Sequence, residues 1–375
     1  MQTVDFLIVG AGIAGAGMAY RLAGHGDVLV CDMEQQADYH TTGRSAAFYA
    51  ETYGGAKVQP LTSSSKDFLH TPPMGFADTQ LITDLGVVHV FAEKQKARAV
   101  AEFETMVTDL PHIQLLDSAG LAAKLPQLAT GQFAGGIYDS ECGNLNVAAL
   151  HQGYMRAARK MGAQFLLGAG FDAAAYESGF WTVQLAGHTV RTRFIVNCAG
   201  AWGDQVAEKC GLAPIGLEPL RRTLVTVPNP TELSFDRRLP IVMELDEKFY
   251  FKPEGNGYLI TPADETLSPP CDSQPELEDV ALAVDYFERA TGSAVAKVEA
   301  KWSGLRTFAP DRVPVIGFDR SSDAFFWSVG QGGFGIQTSP AWSRLAASLI
   351  LGHAVPDDIK AFGGQQAWYA PTRFT

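Results

Sequence analysis

The chain has 375 residues, long for one core and enough for two domains. Its composition is that of an ordinary globular protein, with 46% hydrophobic and 19% charged residues, which excludes a fibrous or disordered chain. A net charge of −12 at pH 7 argues against nucleic acid or an anionic membrane as the main partner, since either would repel it.

Residues 5–17 read DFLIVGAGIAGAG. Residues 6–9 have strand character, Gly10, Gly12 and Gly15 follow in the spacing G-x-G-x-x-G, and residues 16–23 suit a helix. In a dinucleotide fold the first glycine permits the tight turn and the second lets the backbone approach a pyrophosphate. The third lets helix and strand pack closely, and the helix N-terminus faces the phosphates. A second strand, 28–31, ends at Asp32, 22 residues after Gly10, where a ribose-binding carboxylate belongs. The apolar N-terminus lacks a basic leader and is broken by glycines, so it reads as a first strand and not a signal peptide. No apolar stretch is long enough to span a bilayer.

Residues 39–47, YHTTGRSAA, are polar and turn-rich, then small and helix-compatible; small residues permit close approach to a ligand. Helices are expected at 61–69, 94–110 and 121–125, and strands at 87–91 and 135–138. An amphipathic helix fits 146–161, with Asn144 or Asn146 as its cap. Strands at 163–167, 181–185 and 190–196 follow. The last runs into Asn197-Cys198-Ala199-Gly200-Ala201-Trp202-Gly203, a ligand-binding position at the carboxyl end of a sheet strand. Strands at 219–227 and 240–245, a hairpin of 249–251 with 257–260, and a helix over 275–291 come next. The strand 325–329 leads to a second glycine cluster, Gly330 to Gly335. A helix is then expected over 341–351, capped by Thr338 or Ser339, with Pro340 at its first position. Two helix N-termini can thus aim at one ligand. A plain NAD dehydrogenase has no need of the second, whereas a reduced flavin carries negative charge that a helix N-terminus stabilises. The five cysteines, Cys31, Cys142, Cys198, Cys210 and Cys271, are dispersed without a C-x-x-C, which disfavours a metal centre or redox dithiol. They read as reduced thiols of a cytoplasmic protein.

The stretches VGAGIAGAG, YHTTGRSAA, ALHQGYMR, VNCAGAW, LDEKFYFKPE, WSGLR and QGGFGIQTS run from end to end of the chain. Together they resemble the FAD-dependent D-amino acid oxidase superfamily, in its glycine and sarcosine oxidase branch, with bacterial D-arginine dehydrogenases nearest in pattern. The resemblance implies an α/β fold: a discontinuous Rossmann-like FAD-binding domain (1–47, 146–219 and 300–375) and a mixed-sheet α+β substrate domain (48–145 and 220–299). It implies noncovalent FAD held by Gly10, Ala11, Gly12, Ile13, Ala14 and Gly15, with Asp32 on the adenosine ribose. Thr42, Gly43, Arg44, Ser45 and Ala46 would line the pyrophosphate and flavin edge, joined by Ala199, Gly200, Trp202 and Gly304. Gly332, Gly333, Gly335, Ile336, Gln337 and Thr338 would sit at the pyrimidine end of the ring.

Oxidising an amino acid at Cα needs an anchored carboxylate, a Cα–H aimed at flavin N5 and an amine that has lost its proton. A planar guanidinium holds a carboxylate best, in bidentate fashion. By resemblance Arg222 is that clamp, Tyr250 donates to the same carboxylate, and Arg306 faces flavin and substrate. These three are the expected catalytic residues, and no base is assigned. Where the likeness places a carboxylate for the substrate's guanidinium, this chain has Val87, with Asp84 as the alternative acid if the register slips. Where it places a histidine after RSAA, this chain has Phe48. Phe48, Tyr53, Val87, Ile241, Met243 and Phe334, with Gly333 and Gln337, would form an apolar or aromatic-lined substrate pocket. The expectation is hydride transfer from an apolar or aromatic D-amino acid to flavin N5, giving an imino acid, then a 2-oxo acid and ammonia. The electron acceptor is left open. An alternative substrate is a secondary amine or N-methyl amino acid. A non-catalytic FAD-binding protein is the alternative of another class, and Arg222, Tyr250 and Arg306 argue against it.

Overall fold

In the computed structural model, which describes residues 1–233 and 236–374, the strands gather into sheets of eight, nine and three. Thr375, the end of the expected third FAD segment, lies outside the described residues. Gln2–Val9 is central in the first sheet, parallel to Val28–Asp32 on one side and His188–Asn197 on the other. Gln164–Leu167 and Ser322–Val329 extend the two flanks, also in parallel. A strand covered on both faces is apolar throughout, hence the run Phe6, Leu7, Ile8, Val9. Phe6 and Ile8 pack against Met18 and Leu22 of the helix Ile13–Leu22 and Trp342 and Leu345 of the helix Gly335–Ile350. Leu7 and Val9 face the other way, toward Ile195, Trp327 and Trp181.

The nine-stranded sheet is mixed. Ile241–Glu244 runs parallel to Val87–Phe91, while its other side and the rest of the sheet pair antiparallel. One face carries Val225, Val227, Val242, Phe251 and Ile260 and is covered by Val280, Ala283 and Phe287 of the helix Leu277–Thr291. The register then fixes the opposite face. Arg222 lies across from Gly304, Leu220 from Arg306, Met243 from Tyr250 and Ile241 from Val87. The third sheet, of Phe48–Tyr49, Ile82–Asp84 and Gly143–Leu145, closes one end.

Several local expectations change. The expected helix over 61–69 is two short ones, Gln59–Ser63 and Lys66–His70. Residues 39–47 contain turns and no helix, and lead into the strand Phe48–Tyr49. Asn146 and not Asn144 caps the helix Val147–Lys160, accepting from the Ala149 N–H at 3.0 Å. Ala300–Phe308, expected with the FAD domain, pairs along Glu218–Pro228 in the second sheet. The last long helix begins at Gly335, so Pro340 lies inside it. The burial of Ile336, Gln337, Thr338 and Ser339 outweighs the cost of an internal proline. The Ala341 N–H donates to Ser65 Oγ at 3.1 Å, and Arg21 Nη2 donates to the Pro340 carbonyl at 3.2 Å.

A buried polar cluster braces the loop that carries Tyr53. Asp139 accepts from Thr52 Oγ1 and hydrogen-bonds His112 Nε2, both at 3.1 Å, and accepts the Glu141 N–H at 2.9 Å. Atoms of Glu51, His112 and Glu141 lie within 4.8 Å of one another, and the Lys66 ammonium bonds both glutamates, supplying the cation there. The hydrogen bond to Asp139 raises the His112 pKa, with burial opposing. Burial pushes Asp139 up, but His112 and the Glu141 N–H outweigh it and hold it down. A histidine whose folded pKa is raised stabilises fully below its unfolded value and loses that contribution as pH rises through the folded one. A carboxyl held down contributes above its unfolded value and loses it on acidification. The pair therefore stabilises most between about pH 4 and about pH 6.5. His112→Ala should lower the urea midpoint more at about pH 5.5 than at about pH 8.5; equal losses at both would contradict the assignment.

Candidate active site

The glycine turn after Gln2–Val9 opens onto a cleft of about 360 Å³. Gly10 has φ +99°, and a Cβ there would come within 2.5 Å of the Cys198 carbonyl oxygen. A Cβ on Gly15 would meet the Gly10 carbonyl at 1.7 Å, so helix and turn touch backbone to backbone. Gly12 has no side chain to cap the helix. Thr42 Oγ1 does so from outside, accepting the Ile13 N–H at 2.9 Å. Gly10, Gly12, Ile13 and Ala14 line the cleft, while Ala11, Gly15 and Gly43 lie behind its wall. Asp32 also lines it, accepting the Ala11 N–H at 2.6 Å and the Glu34 N–H at 2.9 Å; burial raises its pKa and these bonds oppose the rise.

Thr42, Arg44, Ser45 and Ala46 line the middle of the cleft from the 39–47 turns, and Ala199, Gly200 and Trp202 face it from the end of His188–Asn197. The Arg44 guanidinium donates to the carbonyls of Tyr39, Ser273 and Ser303 at 3.1, 2.9 and 3.2 Å, and to Asp272. Sequence reasoning also missed Glu34, which hydrogen-bonds His40 at 2.9 Å while the His40 ring packs on Trp202 at 4.7 Å. The missed segment 169–172 lines the same end. Glu34 follows Asp32 by two positions, so a search for all acids after the second strand finds it.

At the other end the second sheet contributes Arg222, Leu224, Tyr250, Gly304 and Arg306. Arg222 is 6% exposed. Its Nε donates to the Asp264 carbonyl at 2.9 Å and its Nη2 to Glu265 at 3.3 Å. Burial, and then Arg306, lower its pKa from a very high starting value, so it keeps its charge. Arg306 Nη1 donates to the Tyr53 hydroxyl oxygen at 3.0 Å, which leaves the phenol hydrogen free to donate elsewhere. The three expected catalytic side chains thus share one sheet face.

The expected substrate-pocket residues come together but are closed over one another. Phe48, Tyr53, Val87, Ile241, Met243 and Phe334 belong to one buried cluster with Tyr250 and Leu224. Phe48 packs on Tyr53 at 5.5 Å and edge-on to Tyr250 at 5.8 Å, and Tyr53 packs edge-on to Phe334 at 4.9 Å. None of these six is among the residues lining the cleft, which Tyr250 and Leu224 of the same cluster reach. Gln337 is buried and does not line the cleft. Its Oε1 accepts the Ala50 N–H at 3.0 Å and its Nε2 donates to Thr62 Oγ1 at 3.1 Å. Thr338 bonds the Phe334 carbonyl at 2.8 Å and lies within the helix packing. Asp84, the alternative acid, is exposed on the small sheet.

The cleft fits an FAD. Two helix N-termini, at Gly12–Ile13 and Gly335–Ile336, open on it, and glycine turns leave the wall without side chains at both ends. Asp32 and Glu34 offer acceptors for ribose hydroxyls at one end. Gly332 and Gly333 leave room at the other, beside the arginines.

A family profile described as "FAD dependent oxidoreductase" (DAO) matches residues 5–349. The chain is 22% identical over 388 residues to mitochondrial dimethylglycine dehydrogenase of Mus musculus, covering 95% of this chain and 43% of that protein. It thus spans about four-tenths of the length of that curated relative. It is 25% identical over 341 residues to D-amino acid dehydrogenase of Cereibacter sphaeroides, covering 87% of this chain and 74% of that one. The crystal structure of glycine oxidase from Geobacillus kaustophilus superposes with a TM-score of 0.82 at 20% identity, covering 98% and 99% of the two chains.

A Cβ on Gly333 would lie 2.9 Å from both Arg306 Nη1 and the Tyr53 hydroxyl. Gly333→Ala should therefore displace that pair and cut kcat/KM roughly tenfold or more. The thermal midpoint should move by only a few degrees, about 2–4 °C. Wild-type kinetics in this variant would show that the pair does not shape the site.

Proposed function

Starting from a chain that belongs to the DAO family of FAD-dependent oxidoreductases, we propose that it oxidises the Cα–N bond of an α-amino acid. We take its substrate to be a D-amino acid with an apolar or aromatic side chain. The observation that carries this reading is the single face on which Arg222, Tyr250 and Arg306 adjoin the apolar cluster of Phe48, Val87, Ile241, Met243 and Phe334. Gly12 and Ile13, Asp32 with Glu34, and Gly332 with Gly333 are the residues we assign to the noncovalent cofactor. Bound FAD supplies the two-electron acceptor for the hydride that leaves Cα.

The chain's own residues bind and orient. Arg222 has two of its guanidinium nitrogens fixed by Asp264 and Glu265, so it meets a substrate carboxylate already oriented. The Tyr53 phenol, whose oxygen accepts from Arg306, keeps its proton free to donate to a group bound beside Gly333. The aromatic cluster excludes water from the Cα side, and Val87 offers no charge to a cationic side chain. The imino acid is hydrolysed by water to a 2-oxo acid and ammonia. We divide the chain as the resemblance does, into nucleotide and substrate units, with Ala300–Phe308 reassigned to the second by its pairing. The five free cysteines suit a reducing cytoplasm. A second reading, oxidation of a secondary or N-methyl amine, is favoured by the likeness to dimethylglycine dehydrogenase over 95% of the chain.

Anaerobic mixing with substrate panels separates these readings. D-Phe, D-Leu and D-Met should bleach the bound flavin, with D-Arg at least roughly tenfold slower. D-Arg as the fastest would overturn the apolar assignment, and bleaching by N-methyl amino acids alone, with a primary amine released, would establish the second reading. Arg222→Lys should raise KM roughly tenfold or more, because a bidentate contact becomes a point charge. An unchanged KM would remove Arg222 from the carboxylate site. Acid precipitation should leave the yellow chromophore in the supernatant; a yellow pellet would mean covalent attachment.

A further inference from the structure

Arg222 reaches the cleft from the strand Glu218–Pro228, and the segment 264–266 is fastened along that strand. Asp264 accepts the Thr223 N–H at 2.7 Å and the Thr223 hydroxyl at 3.1 Å, and its carbonyl accepts Arg222 Nε at 2.9 Å. Thr266 pairs with Arg221. Glu265 lies between these two anchors, so its carboxylate is brought beside Arg222.

That carboxylate serves two guanidiniums through one oxygen. Arg312 Nη2 donates to Glu265 Oε1 at 2.8 Å, and Arg222 Nη2 donates to the same atom at 3.3 Å. Arg222 lines the cleft and Arg312 does not, so the shorter bond goes to the arginine outside it. Arg312 is itself held in place. It follows the strand Ala300–Phe308 in a turn closed by its N–H on the Ala309 carbonyl at 2.8 Å. Its guanidinium carbon stands 3.9 Å from the centre of the buried Phe308 ring, where the ring's negative face attracts a cation. Arg373 Nε donates to the neighbouring Asp311 at 2.8 Å and secures the turn.

A carboxylate alone with one guanidinium pairs with it through both oxygens. The Nε of Arg222 is taken by the Asp264 carbonyl, so a two-oxygen pair with Glu265 would occupy the Nη1 and Nη2 end. A bound ligand's carboxylate needs that same end. Nη1 of Arg222 has no hydrogen-bond partner among the described residues. The sharing of Glu265 therefore leaves Arg222 steadied at Nη2 and available at Nη1.

Resting on the amino-acid reading above, we propose that Arg312 is a positioning residue for substrate binding. It draws the Glu265 carboxylate to one side, so that Glu265 orients Arg222 without closing over the fork that receives the substrate carboxylate. Arg312 acts through Glu265 and touches no substrate.

The test uses the FAD-loaded enzyme and its Arg312→Gln, Arg312→Lys and Glu265→Gln variants, with Arg312→Gln also combined with Glu265→Gln. Each is measured for kcat and KM with D-Leu and for the calorimetric Kd of benzoate, a carboxylate on an apolar ring. Arg312→Gln should raise KM and the benzoate Kd about fivefold, the upper range for a partly exposed charge pair, with kcat changed by less than about twofold. Arg312→Lys should recover most of that loss. In the Glu265→Gln background the Arg312→Gln change should leave both constants unmoved, because the competing carboxylate is gone. A loss that persists in that background, or a fall in kcat at unchanged KM, would overturn the proposal. If no amino acid bleaches the flavin but benzoate binding follows this pattern, the positioning role stands and the amino-acid reading falls. If D-Leu turns over and Arg312→Gln moves neither constant, the reading stands and this inference falls.

Discussion

Holding two guanidiniums close together on a buried sheet face is the constraint that organises this molecule. Each is costly to desolvate, and each raises the cost of the other. The surrounding structure offsets that in pieces. Glu265 and the Asp264 carbonyl take two nitrogens of Arg222, and the Tyr53 hydroxyl takes one of Arg306. The Asp139 cluster, through Thr52, steadies the loop on which Tyr53 sits. The helix Leu277–Thr291 covers the far face of the sheet, so the near face alone remains for a ligand. What is left over is positive charge in an apolar setting, and a carboxylate is the natural complement.

Some of this was legible in the sequence because it is local. The glycine turn, the acid at Asp32 and the strand–turn–helix at the end of the chain depend on neighbours in sequence, and all three lie on the cleft. Arg222, Tyr250 and Arg306 came from resemblance, and the strand register sets them on one face. The misses have physical causes. Gln337 sits in a sequence beside cleft glycines, but about half a turn of helix past Gly335 carries its amide into the packing with Ala50 and Thr62. The expected start at Pro340 failed because a proline rule was applied to a helix whose first residues are held by burial.

The two large sheets meet at the glycine cluster that follows Ser322–Val329. The Gly332 N–H donates to the Thr307 carbonyl at 2.8 Å, and Phe308 bridges to Gln331. Thr307 and Phe308 end the strand that carries Arg306. The turn that begins the last helix and the strand that carries Arg306 are therefore one hydrogen-bonded piece. A change that loosened either would loosen both, which ties the geometry of the last helix's start to that of Arg306.

Arg44 carries an implication for salt dependence. It lines the cleft, and its guanidinium fastens the 39–47 turns to the carbonyls of Ser273 and Ser303 and to Asp272. Salt screens the pairing with Asp272, but it barely touches hydrogen bonds to carbonyls. The closure of this wall should therefore respond weakly to ionic strength, even though an arginine holds it.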